Sequence, residues 1–197
     1  MGGEPRTIQE AQFLPGRLDT LRTRGSAAYK GIYALLMKNG AIDWRSGEPA
    51  SVTTYFDESI DIHHIFPRAW CEKQGIADTT YNSIVNKTPL TARSNRVIGG
   101  WAPSEYMLRL SNSAGVPVDV IEKNIRTHFA DPNFLTKDDF VGFMTRRRKS
   151  LLAIIGGAMG KTLVDPAQRG STEEIEEDSS SVEDLLDDED PLETQHP

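Results

Sequence analysis

The chain has 197 residues, of which 38% are hydrophobic and 26% charged, which is typical of a soluble globular protein with one domain. No apolar run approaches the roughly 18 residues of a membrane-spanning helix, so we expect no membrane partner. The single cysteine, Cys71, excludes an internal disulfide and a zinc site made mainly of thiolates, and it favours a cytoplasmic location.

The net charge of −7 is the sum of two unlike regions. Residues 165–197 contain thirteen acidic residues and one basic residue and so carry −12, which leaves +5 on residues 1–164. Dense like charge with few apolar side chains predicts a disordered acidic tail over 165–197. This tail solubilises the protein, covers a basic surface, or docks to a partner through Val182, Leu185 and Leu186. We also expect a disordered N-terminus over 1–12, and one domain over 13–164. A mildly basic body is compatible with nucleic-acid binding but does not establish it.

Hydrophobic periodicity predicts a mainly helical α+β domain. Two β-rich segments are expected at residues 59–66 and 81–90, the second broken at Pro89. Residues 41–58 are expected to form a loop with short extended pieces, and Asp131-Pro132 marks a turn. Helices are predicted over residues 17–21, 27–38, 68–74, 103–110, 118–129 and 137–155, and a short turn or helix over 94–97.

The first β-rich segment contains two adjacent histidines in Asp61-Ile62-His63-His64-Ile65-Phe66-Pro67. Histidine is the commonest metal ligand and the side chain that titrates nearest neutral pH. An adjacent pair on a strand can also be one buried and one exposed residue, because neighbouring side chains point to opposite faces. Taken alone, the pair leaves both interpretations open.

The sequence downstream of the histidines adds asparagines in a defined order. HHIFP at residues 63–67 is followed by NKTPLT at 86–91 and ARSNR at 92–96. This order resembles the HNH, or ββα-metal, nucleases, in which a catalytic histidine ends the first strand, the second strand carries an asparagine, and a short helix carries a last asparagine or histidine. GGWAPSEY at 99–106 further resembles the C-terminal nuclease module of GmrSD-type restriction proteins. The resemblance covers about residues 13–161 and implies a small ββα-metal core flanked by helices.

The resemblance implies a role for each matching residue. His64 would be the general base that activates water, and His63 and Asn95 would hold one divalent metal ion acting as a Lewis acid. Asp61, two strand positions before His63, is either a third ligand or a hydrogen-bond acceptor in a turn or beside the ligands. Asn86 would support the loop that orients His64, and direct catalysis is its less favoured role. Mg²⁺ or Mn²⁺ is expected, with Ni²⁺ or Co²⁺ as alternatives, because imidazole binds these later ions more readily than magnesium.

Several other polar residues have two interpretations each. Asn82 is a less favoured occupant of the role given to Asn86. Lys87, Arg93 and Arg96 either contact nucleic-acid phosphates or are solvated surface cations. The basic run at residues 146–148 either helps to hold DNA or forms a solvated helix face. His128 lies in a helical apolar pattern and is not expected to be a ligand.

The function implied by the resemblance is a metal-dependent endonuclease that cleaves DNA in restriction or phage defence. In the GmrSD-type architecture, a ParB-like domain linked to nucleotide hydrolysis normally precedes the nuclease module, so a separately encoded sensor subunit of that kind is an expected partner. The alternative is a nuclease-like module that binds nucleic acid or a partner without cutting. A purely structural zinc domain is less favoured, because a closed zinc site requires about four protein ligands.

Overall fold

The computed structural model describes residues 13–22, 25–49 and 60–163. The predicted tails, at 1–12 and 165–197, lie outside these residues. The strands are β1 (Ile60–His64) and β2 (Lys87–Thr91), with a 3₁₀ turn at Ile84–Asn86. The helices are α1 (Arg17–Thr20), α2 (Ala27–Lys38), α3 (Arg68–Lys73), α4 (Asp78–Tyr81), α5 (Ala92–Ile98), α6 (Pro103–Ala114), α7 (Val118–Arg126), α8 (Pro132–Leu135) and α9 (Phe140–Met159).

The prediction of a mainly helical α+β chain is confirmed. Ser26 caps α2, with its side chain accepting a hydrogen bond from the backbone N–H of Tyr29. The expected turn at Asp131-Pro132 begins α8, a single helical turn. No helix within the described residues is long and apolar enough to cross a membrane.

The two strands pair antiparallel, from Ile60 opposite Thr91 to His64 opposite Lys87. Pro89 lies inside β2 opposite Ile62, so the prediction that the strand breaks at this proline is wrong. Each strand of this sheet has one edge to which no other described strand pairs. A proline, which lacks a backbone N–H, is tolerated at such an edge.

The first half of the predicted second strand is not a strand. Tyr81 ends α4, and Ser83 starts the 3₁₀ turn by accepting a hydrogen bond from the backbone N–H of Val85. Short polar side chains offer the backbone local hydrogen bonds that compete with a strand ladder. Residues 81–86 therefore form a compact loop that precedes β2.

Two clusters of buried apolar side chains pack the helices against the sheet. One contains Ile62 of β1 together with residues of α2 and α9. The other contains Leu90 of β2, Phe66 and residues of α6 and α7. Because Ile62 and Leu90 belong to opposite faces of the sheet, the short strands are packed on both faces. A two-stranded sheet requires such packing for stability.

Candidate active site

The histidine strand, the second strand and a short helix form a compact β–β–α unit. Thr91 ends β2 and is also the N-cap of α5, where its hydroxyl accepts a hydrogen bond from the backbone N–H of Ser94 at 3.2 Å. Asn95 lies in the first turn of this helix and is only 2% exposed. The helix ends at Gly99, whose φ of +48° lies in the left-handed region that favours glycine.

A buried carboxylate holds the corner between β2 and α5. Asp43 accepts a hydrogen bond from the Ser94 hydroxyl at 2.7 Å, and from the backbone N–H and hydroxyl of Thr91 at 3.0 and 2.9 Å. Burial raises the pKa of Asp43, but hydrogen bonds from Ser46, Ser94 and Thr91 outweigh burial and lower the pKa below its usual value. Sequence reasoning missed Asp43, because its main partners are about fifty residues away along the chain.

Both histidines of the pair are buried, with His63 fully inaccessible and His64 8% exposed. The interpretation with one buried and one exposed residue is therefore wrong. His63 lies opposite Thr88 in the sheet, and His64, the last residue of β1, lies opposite Lys87. The Nε2 atom of His64 is 2.9 Å from Oδ1 of Asn82, so the two imidazoles have different neighbours.

Asn86 ties together the backbone around the two strands. Its side-chain oxygen accepts a hydrogen bond from the N–H of Phe66 at 2.9 Å, and its amide nitrogen donates to the carbonyls of Phe66 and Tyr81 at 3.0 Å each. Asn86 is fully buried. This geometry agrees with a supporting role in the loop, whereas the side chain of Asn82 lies within hydrogen-bond distance of the His64 ring.

The segment after α5 also fixes the end of β1. The Tyr106 hydroxyl donates a hydrogen bond to the carbonyl of Ile65 at 2.9 Å. Burial raises the pKa of Tyr106 well above its usual value, so the phenol remains a neutral donor. A Cβ at Gly100 would lie 3.1 Å from Cβ of Ala69, so the loop can approach α3 this closely because position 100 is glycine.

Asn95 offers a buried oxygen as a ligand. Its Oδ1 accepts no hydrogen bond from any described residue, whereas buried acceptors are normally satisfied. An amide oxygen and an imidazole suit Mn²⁺ and similar ions, which keep waters in their remaining positions. The fit is partial, because no group of three or more His, Cys, Asp or Glu residues is arranged to hold a metal in the described part of the chain. The Asp61 backbone pairs with Leu90, but its side chain lies outside the description.

The three cations predicted to contact phosphates have different surroundings. Arg93 and Arg96 are exposed on α5, one helical turn apart. Lys87 is half-buried, and its ammonium group donates to the carbonyl of Arg22 at 2.9 Å. The two arginines therefore remain the more accessible candidates for contact with nucleic acid.

The basic run on α9 does not form one surface patch. Arg147 is only 1% exposed, and its Nη1 donates to the carbonyls of Val85 and Lys87 at 2.5 and 2.7 Å. Arg148 pairs with Asp19 at 3.2 Å. Both interpretations of the run are wrong for Arg147, because it shares a helix face with the buried Phe143, four positions earlier. Burial lowers the pKa of Arg147 to about 10.

His128 belongs to the support behind the sheet. Its Nδ1 lies 2.6 Å from the Thr88 hydroxyl, and its Nε2 lies 2.7 Å from the carbonyl of Ile42. The carbonyl can only accept, so Nε2 carries the proton and Nδ1 accepts from Thr88. Burial lowers the pKa of His128 to about 4, which keeps the ring neutral. Protein atoms thus engage both ring nitrogens, as expected for a residue that is not a ligand.

Comparison with known proteins gives one distant relative. A protein of Methanocaldococcus jannaschii, described as uncharacterized, is 28% identical over 127 residues, which cover 61% of this chain and 21% of that protein. The chain therefore spans about a fifth of the length of the curated relative that it matches. No family model matches the sequence, and no solved structure matches it significantly.

Proposed function

We propose that this chain is a metal-dependent endonuclease that hydrolyses phosphodiester bonds in DNA, in a restriction or phage-defence context. The observation that carries the proposal is the β–β–α unit, in which His63 and His64 end the first strand and Asn95 lies on the helix that follows the second. The Oδ1 atom of the buried Asn95, which accepts no hydrogen bond from a described residue, further supports the proposal.

In this proposal the protein holds and deprotonates the attacking water. His64 acts as the general base, because an imidazole can take a proton from water. Asn86 links the carbonyls of Phe66 and Tyr81, and the Tyr81 ring lies against that imidazole. Arg93 and Arg96 would position the phosphate backbone from the exposed face of α5.

His63 and Asn95 would hold the divalent ion, with Asp61 as the proposed third ligand. When bound, that ion supplies charge neutralisation on the phosphate and on the leaving oxygen. Mn²⁺ or Mg²⁺ is proposed, with Ni²⁺ or Co²⁺ as alternatives, since the site combines imidazole and oxygen ligands. A nucleotide-dependent ParB-like protein is the proposed partner that would restrain or direct cleavage.

Plasmid nicking tests this proposal. The wild-type protein and His64→Ala are purified in parallel and assayed with Mg²⁺, Mn²⁺, Ni²⁺ or EDTA. We expect metal-dependent nicking that falls by at least about a hundredfold in the variant, the usual contribution of a general base. Equal nicking by both proteins would overturn the assignment of His64 and indicate a contaminating nuclease.

The second candidate function is a nuclease-like module that binds nucleic acid without cutting it. The small number of ligands favours it, since no group of three or more His, Cys, Asp or Glu residues is arranged to hold a metal in the described part of the chain. DNA binding by wild type, with no cleavage of plain or modified DNA in any metal, would favour this function over the endonuclease.

A further inference from the structure

The contact between His64 and Asn82 determines which ring nitrogen carries the proton. The Nε2 atom of His64 lies 2.9 Å from the side-chain oxygen of Asn82. An amide oxygen has no proton to donate, so the hydrogen bond requires the proton to reside on Nε2. In the neutral ring the lone pair is then on Nδ1.

We infer that Asn82 is a positioning residue that fixes His64 in the Nε2–H tautomer and presents Nδ1 as the nitrogen that accepts a proton from water. This inference rests on the proposed function and deepens it. The outer partner of an imidazole sets its tautomer and ring orientation in other histidine sites as well. Asn82 would set the tautomer and ring orientation of a general base, His64, rather than those of a metal ligand.

Local structure holds Asn82 in place independently of its side chain. Its backbone N–H donates to the carbonyl of Asp78 at 2.9 Å, which closes the end of α4. The next residue, Ser83, donates its hydroxyl to the carbonyl of Leu18 at 2.9 Å. Because the Asn82 backbone and the Ser83 hydroxyl bind to other groups, the position of residue 82 does not depend on its own side chain, which is available for His64.

The ring of His64 is also confined by an aromatic neighbour. The Tyr81 ring meets it edge to face, with centroids 5.9 Å apart and planes at 73°. Asn86 holds the Tyr81 carbonyl at 3.0 Å. The hydrogen bond and the edge contact thus restrict both the rotation of the imidazole and its exchange of tautomer.

Two variants at position 82 and one control test the inference. Asn82→Leu keeps the approximate shape but removes the acceptor, whereas Asn82→Asp retains an acceptor for Nε2–H. Asn112→Leu, at an exposed position of α6, makes the same chemical change away from the site. For Asn82→Leu we expect kcat for nicking to fall about tenfold to a hundredfold, with little change in KM. Asn82→Asp should restore most of kcat, and Asn112→Leu should match wild type.

Nitrogen-15 NMR of the metal-free, DNA-free protein gives a readout that is independent of activity. In alkaline buffer, the His64 ring, assigned by comparison with His64→Ala, should show Nε2–H and an unprotonated Nδ1 in wild type and in Asn82→Asp. Asn82→Leu should show a mixture of both tautomers. An unchanged midpoint of thermal unfolding in Asn82→Leu, Asn82→Asp and Asn112→Leu would show that the tautomer change is not caused by unfolding.

Failure of the inference and failure of the proposed function give different results. Cleavage by wild type together with equal kcat in Asn82→Leu, or an Nδ1–H tautomer in wild type, overturns the inference but leaves the endonuclease intact. Absence of cleavage by wild type in every metal overturns the endonuclease, and with it the role of Nδ1 as a base.

Discussion

The corner between β2 and α5, which Asp43 holds, and the histidine–asparagine site are both buried and polar. Their polar atoms differ in how far they are hydrogen-bonded. Both carboxylate oxygens of Asp43 accept hydrogen bonds from Ser94, Thr91 and the residues of its own loop. Asn95, one residue after Ser94, has a buried oxygen to which no described residue donates. A buried polar atom without a hydrogen-bond partner in the protein is suited to act as a metal ligand, whereas a hydrogen-bonded one stabilises the fold. Substitutions in the two regions should therefore differ in what they damage.

The largest effect is expected at the corner. Asp43→Ala removes the acceptor of the buried Ser94 hydroxyl and of the partly buried Thr91 hydroxyl and neighbouring backbone N–H groups. We expect the free energy of unfolding to fall by about 4 kcal/mol, since each unsatisfied group costs about 1 to 3 kcal/mol. Urea denaturation measures this loss, and Asp119→Ala, at an exposed position of α7, is the matched control. Equal stability of the two variants would contradict a supporting role for Asp43.

A pH dependence should follow from His128 in the same supporting region. Its pKa is about 4 in the folded protein and about 6.5 in an unfolded chain. Between these values the unfolded chain binds a proton that the folded chain excludes, so stability is greatest above pH 6.5 and falls as the pH decreases toward 4. The loss attributable to His128 is about 3 kcal/mol at most.

Urea denaturation across this pH range measures the loss. His128→Gln, which has no titratable ring, should lose less stability than wild type between pH 6.5 and pH 4. Parallel losses in the two proteins would show that other groups cause the acid sensitivity.

In the site itself, activity should suffer more than stability. Asn95→Ala removes Oδ1, which is the proposed oxygen ligand and accepts no hydrogen bond from a described residue. We expect nicking to fall by about a hundredfold in Mn²⁺, while the free energy of unfolding changes by about 1 kcal/mol or less, because no hydrogen bond to Oδ1 is lost. Asn112→Ala on α6 is the matched control. A large loss of stability in Asn95→Ala would indicate that Asn95 stabilises the fold, as Asp43 does, and is not mainly a ligand.

The smallest effect is expected at the exposed cations of α5. Arg93→Ala and Arg96→Ala should each weaken DNA binding and lower the slope of log affinity against log salt by about 1, as for one lost phosphate contact. Lys123→Ala, an exposed cation on α7, serves as the control. Fluorescence anisotropy with a labelled duplex in EDTA measures binding without cleavage. Slopes equal to the control would leave these arginines as solvated cations.

Local sequence was a good guide wherever a short-range contact decides the structure. Ser26 caps α2 through a residue three positions away, and His63 and His64 lie in the strand that the β-rich pattern around them predicts. The segment from Tyr81 to Asn86 was less predictable, because apolar residues in it suggest a strand. Its conformation depends on the local hydrogen bond that starts the 3₁₀ turn at Ser83 and also on hydrogen bonds of Asn86 to Phe66, twenty residues away, which pattern reasoning does not detect.

The sequence by itself determined the α+β class and the residues to inspect, because hydrophobic period, capping side chains and motif order are local properties of the chain. Only the tertiary structure decided that Asn82 rather than Asn86 contacts His64, that Arg147 is buried, and that Asp43 secures the start of α5. These partners are 18 to about 60 residues apart. Polar pairing at that separation depends on how the elements pack, and a short hydrophilic side chain gives no advance sign of which distant group it will meet.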